Sequence, residues 1–171
     1  MDDARSRPVR PIRTLLAVTA AVLVIGLGLA GCGAPGPGPG SQMNRQAGMV
    51  MPFDLNATTH TFTTTPDGGV EQVVANDPAD TTNTAAIRAH LRDEAGKFSA
   101  GDYSDPARIH GADMPGLAEV AAGALRIGVR YDPVPAGARI TYSATDPTLV
   151  NALHIWFGAQ TSDHDMPGMG G

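Results

Sequence analysis

The residues in this chain best suited to chemistry are its five histidines, His60, His90, His110, His154 and His164. Imidazole is the usual nitrogen ligand for transition metals. Three of the five have acidic or sulfur-bearing neighbours. His90 precedes Glu94 by four residues, a spacing that sets both side chains on one helical face. His110 stands in Ile109-His110-Gly111-Ala112-Asp113-Met114-Pro115, with a carboxylate and a thioether close behind. His164 lies between Asp163 and Asp165 and is followed by Met166 and Met169. Imidazole together with thioether favours copper, Cu(I) taking methionine and Cu(II) nitrogen and oxygen. The candidate metal set is therefore His60, His90, His110, Asp113, Met114 and His154, with copper as the first candidate cofactor.

Each of these residues also has an ordinary structural reading. His90 borders an apolar stripe and could bond to Glu94 or a backbone carbonyl. His154 could pack against a sheet, His60 could be a plain strand residue, and His110 could fix a loop through a hydrogen bond. No spacing matches a named metal motif: there is no His-Glu-x-x-His and no histidine pair three or four residues apart. Enzyme signatures are missing too. The chain has no Gly-x-Ser-x-Gly elbow, Walker A loop or dinucleotide glycine pattern. Asp102 and Asp105 fall in what reads as a polar loop, with nothing apparent to raise a carboxyl pKa. An exported hydrolase using His90, Glu94 and His110 is the least favoured reading.

The elements that must position these residues can be read from periodicity. His60, Phe62 and Thr64 alternate with threonines, which predicts a strand; Pro66-Asp67-Gly68-Gly69 predicts a turn and Val70 to Ala75 a second strand. Thr81 or Thr82 would cap a helix whose apolar positions are Ile87, Leu91, Ala95 and Phe98. The segment from Asp102 to Asp113 reads as loop, and a short helical turn runs from about Pro115 to Gly123. Leu125, Ile127, Val129 and Tyr131 alternate as a strand. A turn over residues 132–137 follows, and then Ile140, Tyr142 and Ala144 alternate again. Asp146 and Pro147 would open a last helix with a core band of Leu149, Leu153, Trp156 and Phe157. The expected fold is a β-β-α-β-β-α, two-layer α+β sandwich with an antiparallel sheet of about four strands and two main helices.

The N-terminal region has another logic. Arg5, Arg7, Arg10 and Arg13 precede an apolar stretch from Leu15 to Ala30 that ends in Leu29-Ala30-Gly31-Cys32. Sixteen residues are short for a span, which wants about 20, and the layout is that of a secretory signal. Leu29-Ala30-Gly31-Cys32 resembles the lipobox of bacterial lipoproteins. That resemblance implies removal of residues 1–31, lipidation of Cys32, and a location at the extracytoplasmic face of the cell membrane. Gly33-Ala34-Pro35-Gly36-Pro37-Gly38-Pro39-Gly40 reads as part of a tether over residues 32–50. A single domain is expected over 51–162 and a flexible tail over 163–171. The net charge of −5 becomes −7 without the four arginines and two aspartates of residues 1–31, and Lys97 is the single lysine. Such a surface argues against nucleic-acid binding and against electrostatic attachment to anionic lipid, which leaves the anchor as the membrane partner. With one cysteine there is no intramolecular disulfide, so the core must hold the fold.

Longer words in the chain carry a second resemblance. Met51-Pro52-Phe53-Asp54-Leu55-Asn56-Ala57-Thr58-Thr59-His60-Thr61-Phe62, Ile87-Arg88-Ala89-His90-Leu91, Ile109 to Leu117 with His110, Ala152-Leu153-His154, Trp156-Phe157 and Asp163-His164 resemble a small uncharacterised bacterial family. Its members look like exported proteins, often lipoproteins, and many carry the label aspartate carbamoyltransferase. The Ser-Thr-Arg-Thr phosphate loop of the cytoplasmic transferases does not occur here. What the resemblance implies is a shared site among the histidines in those words. Three functions follow as expectations: an anchored metal-binding protein, a metal-free surface binding module, and an exported transferase or hydrolase. The first requires His60, His90, His110 and His154 to converge.

Overall fold

The computed structural model describes the backbone of residues 39–164 and the side chains of residues 42–162. The signal segment over 1–31, Cys32 and the tail from 165 onward lie outside the described residues. Among the described residues no helix is long and apolar enough to cross a membrane.

Four antiparallel strands form one sheet. β1 (Thr58–Thr65) and β2 (Gly68–Ala75) make a hairpin, as do β3 (Gly128–Val134) and β4 (Gly137–Ser143), and the strand order is β1-β2-β4-β3. The two long helices, α2 (Thr81–Ser99) and α5 (Pro147–His164), lie on one face of that sheet, α2 over β3 and β4 and α5 over β1 and β2. The result is the two-layer α+β sandwich that the periodicity predicts. One inward row crosses the sheet from Phe62 through Glu71 to Ile140 and Tyr131, paired residue to residue. The opposite face, carrying Thr59, Thr61 and Thr63 on β1, is left to solvent.

The apolar stripe of α2 is buried as its spacing of four, four and three requires, with Ile87 at 0 % and Leu91 at 2 % exposure. Its N-cap is Asp80, one residue before the expected threonines, and the Asp80 side chain accepts from the Asn83 N–H. Asp146 caps α5 as expected, accepting from Thr148 N at 2.9 Å. Leu149, Leu153, Trp156 and Phe157 are all buried. Rings dominate the layer between helices and sheet. Tyr142 meets Trp156 edge-on at 5.6 Å and Phe157 edge-on at 5.5 Å, and Phe98 stacks on Tyr103 at 4.7 Å. Gly69 lets the Phe157 ring reach the sheet, since a Cβ there would stand 2.2 Å from Cε2 of that ring. Arg88 ties α2 to the β3–β4 turn by donating to the Gly137 and Val134 carbonyls at 3.0 and 2.7 Å.

Four elements differ from expectation. Residues 39–50, expected within the tether, form helix α1 (Pro39–Val50), which packs against α3 with Ala47 only 2 % exposed; Pro39 takes the first helical position, where its missing N–H costs nothing. The expected loop from Asp102 to Asp113 contains α3 (Ser104–His110), because Pro106 falls in the first turn, where backbone N–H groups have no helical acceptor. The third strand begins at Gly128. Residues Ala124–Arg126 form a 3-10 turn after α4 (Leu117–Gly123), which leaves Leu125 91 % exposed. β3 also runs on through Pro133, tolerated because this is an edge strand, so the turn shrinks to Pro135 and a left-handed Ala136. Helix α5 continues to His164, two residues beyond the domain end expected at 162.

These differences give a direct test. Ile127→Ala should cost about 2–5 kcal/mol, whereas Leu125→Ala should change urea stability by less than about 0.5 kcal/mol. Equal losses would show that the strand starts at 125 after all.

Candidate functional site

Helix α2 presents His90 and Glu94 on one face, and β1 presents His60 and Phe62 on the covered face of the sheet. Glu71 sits opposite Phe62 in the register. Helix α3 ends in His110, and α5 adds Trp156 and Gln160. These residues wall a cavity of about 40 Å³, room for a few waters or a single ion. The strap that follows α1 crosses it: Val50 and Met51 line the cavity, and Phe53 is wedged edge-on between His60 at 5.8 Å and His90 at 5.7 Å.

Three of the six sequence candidates therefore share one cavity, each from a different element. The other three lie elsewhere. His154 ties α5 to the end of β1, its Nε2–H donating to the Thr65 carbonyl at 2.9 Å, and it lines a separate cleft with Pro66 and Asp67. Met114 is 6 % exposed within the hydrophobic core. Asp113 is exposed in the loop after α3, beside Gly111. The expected convergence of His60, His90, His110 and His154 is corrected: the first three line one cavity without closing on a point, and His154 lies apart, because position 154 is two residues ahead of the cavity-lining Trp156 and falls on another side of α5. Among the described residues no three His, Cys, Asp or Glu side chains stand close enough together to hold a metal ion.

Of the acidic residues of the cavity, Glu71 was not legible as a site residue, whereas Glu94 was paired with His90 from its spacing. Burial raises the Glu71 carboxyl to about 7, opposed by the Tyr142 hydroxyl, which donates to Glu71 Oε2 at 3.1 Å. Glu94 is raised to about 7 by burial, against the hydrogen bond from Lys97 and with help from the neighbouring Asp105 carboxylate. Burial alone would raise Asp105 too. The Lys97 hydrogen bond, the proton shared from Glu94, and the charges of Lys97 and Arg108 instead carry it below the usual carboxylate range. Of the two carboxyls, Glu94 is therefore the one that holds a proton more readily. Lys97 spends its three donors on Asp93, Glu94 and Asp105, at 2.9, 2.9 and 2.8 Å. Asp105, expected in an open loop, is 9 % exposed inside this network. Burial, and then the charge of Lys97, lower the pKa of His90, which favours its neutral imidazole.

Two buried polar atoms on the cavity-lining residues of α5, Trp156 Nε1 and Gln160 Oε1, have no hydrogen-bond partner among the described residues. The cavity therefore combines neutral imidazole, carboxyl groups poised near neutrality and polar atoms awaiting a partner, with aromatic rings beside them. This arrangement can bind a small ligand, and it can exchange protons while doing so.

The comparisons with known proteins return nothing: no family model, no curated protein and no solved structure matches the chain. The family resemblance rests on the sequence words quoted above.

Glu71 gives a signed pH dependence. Its folded pKa of about 7 lies above the unfolded value near 4.5, so the folded chain binds the extra proton. The stability present below the unfolded pKa is lost as pH rises through about 7. Glu71→Gln should match the wild type at pH 4 and exceed it at pH 8 by up to about 3 kcal/mol in urea unfolding. A variant less stable than wild type at pH 8 would show that Glu71 is ionised and satisfied in the fold.

Proposed function

We propose that this chain is an envelope-anchored lipoprotein, held to the cell membrane through Cys32, whose folded domain binds a transition metal, copper first, in the cavity walled by His60, His90 and His110. The observation that carries the reading is the arrival of three imidazoles from β1, α2 and α3 at one cavity. Met51 borders the same space and supplies the thioether that Met114, buried in the core, does not. Imidazole and thioether suit both oxidation states of copper. His60 and His90 flank the Phe53 ring, so drawing them onto one ion requires that ring to shift. Metal entry and movement of the strap are thereby coupled.

The test is titration of the detergent-solubilised full chain with Cu(I), Cu(II) and Zn(II). One copper per chain is expected. His60→Ala, His90→Ala and His110→Ala should each weaken binding about tenfold or more, and His154→Ala should leave it unchanged. Binding that survives all three cavity substitutions would remove the cavity as its site. For the anchor, Cys32→Ala should abolish palmitate labelling and release the chain from the membrane fraction; a variant that stays labelled and particulate would sink that part of the proposal.

A further inference from the structure

The cavity has a wall that the metal reading does not use. It is built by Glu71 on β2 and by Trp156 and Gln160 on α5, with the rings of Phe62 and Phe98 also on the lining. Gln160 is 5 % exposed and Trp156 1 % exposed. Among the described residues Gln160 Oε1 lacks a donor and Trp156 Nε1 lacks an acceptor. The two residues are four apart on α5, so their side chains are neighbours on one face. A buried acceptor and a buried donor left unpaired cost free energy. A guest that donates from one atom and accepts at another recovers it.

Charge decides what that guest is. Glu94 and Asp105 are served by Lys97. Glu71 takes its side-chain hydrogen bond from the Tyr142 hydroxyl at 3.1 Å, a neutral donor, where a carboxylate accepts up to about four. A second donor with positive charge suits Glu71, and the aromatic rings on the lining suit a cation as well. A cavity of about 40 Å³ has the room of a few waters, which is about four non-hydrogen atoms of a guest. We propose that the cavity binds a small primary ammonium ion with a vicinal hydroxyl, a short amino alcohol. Its ammonium donates to Gln160 Oε1 and to the Glu71 carboxylate, and its hydroxyl oxygen accepts from Trp156 Nε1. The inference is independent of the metal reading and uses none of the three imidazoles.

Burial favours a proton on Glu71 near neutrality, and the ammonium takes that proton's place, so binding releases it and strengthens as pH rises. The other titratable groups on the lining are His60, His90, Glu94, Asp105 and His110. Each loses positive charge or gains negative charge over the same rise, which acts in the same direction. Tyr142 and Lys97, both raised above their ordinary values, keep their protons throughout.

The experiment uses the full-length chain in detergent, stripped of metal with a chelator, with 2-aminoethanol as the probe in titration calorimetry. One molecule per chain is expected, bound about tenfold more tightly at pH 8 than at pH 6. Glu71→Gln should weaken binding at pH 8 about tenfold or more and flatten the pH dependence. Gln160→Leu should weaken it several-fold, and His154→Ala should leave it unchanged. Ethylammonium, which lacks the hydroxyl, should bind the wild type several-fold more weakly, and neutral acetamide more weakly still. O-phosphorylethanolamine should not bind, because its phosphate exceeds the cavity; tight binding of that ester would move the site to a lipid headgroup at the surface and overturn the proposal. Binding absent at millimolar 2-aminoethanol, equal binding of acetamide or ethylammonium, or a Glu71→Gln chain that binds as wild type would overturn it too. Copper is titrated separately. A chain that binds the amine and no copper upholds this inference and removes the metal, and the reverse result removes this inference alone.

Discussion

Glu71 lies on the covered face of the sheet, in the same row as Ile140 and in hydrogen-bond contact with Tyr142, beneath a layer of aromatic rings. A carboxylate there without full compensation would be expensive, so burial shifts this group toward its protonated form while the Tyr142 hydroxyl partners it. That constraint organises its surroundings. Tyr142 turns its hydroxyl toward Glu71, and Glu71 lines the cavity together with Trp156 and Gln160 of α5. Phe157, beside Trp156, presses onto Gly69 and leaves no room for a side chain there.

The second acidic group works differently. Glu94 is held within a network in which one lysine serves three carboxyls, so its proton and its position depend on α3 as much as on α2. Through Asp105 and His110, α3 joins the helical layer to the cavity. Helix α1 packs on that same short helix and leads through Met51 and Phe53 across the histidines. Val50, the last residue of the expected tether, is therefore part of the site's wall.

Much of the fold was legible because burial imposes a period. The stripe of α2, the band of α5 and the alternation in β4 are each buried as spacing demands. Where local composition and tertiary context disagreed, the reading failed. Pro106 and its polar neighbours looked like loop, yet a first helical turn accepts proline. Leu125 was in phase with a strand, but the chain was still turning out of α4 and left it in solvent. For the site, residue type found His60, His90 and His110. Type alone could not separate them from His154 and Met114, which serve packing and a backbone hydrogen bond. Glu71 was missed because a charge in a strand reads as outward-facing and Val70 and Val74 make both faces of β2 look apolar. Its phase with the buried Val73 and Ala75 was the signal available.

The sheet is open at both sides, with β1 and β3 outermost. Pro133 removes a backbone donor near the end of β3, and Arg130 and Asp132, paired with each other, bring charge to the same strand. A neighbouring polypeptide that tried to extend the sheet along β3 would find its hydrogen-bond ladder interrupted before it was long enough to hold. The β3 border is thereby protected against strand-by-strand aggregation, a useful property for any protein crowded side by side with copies of itself.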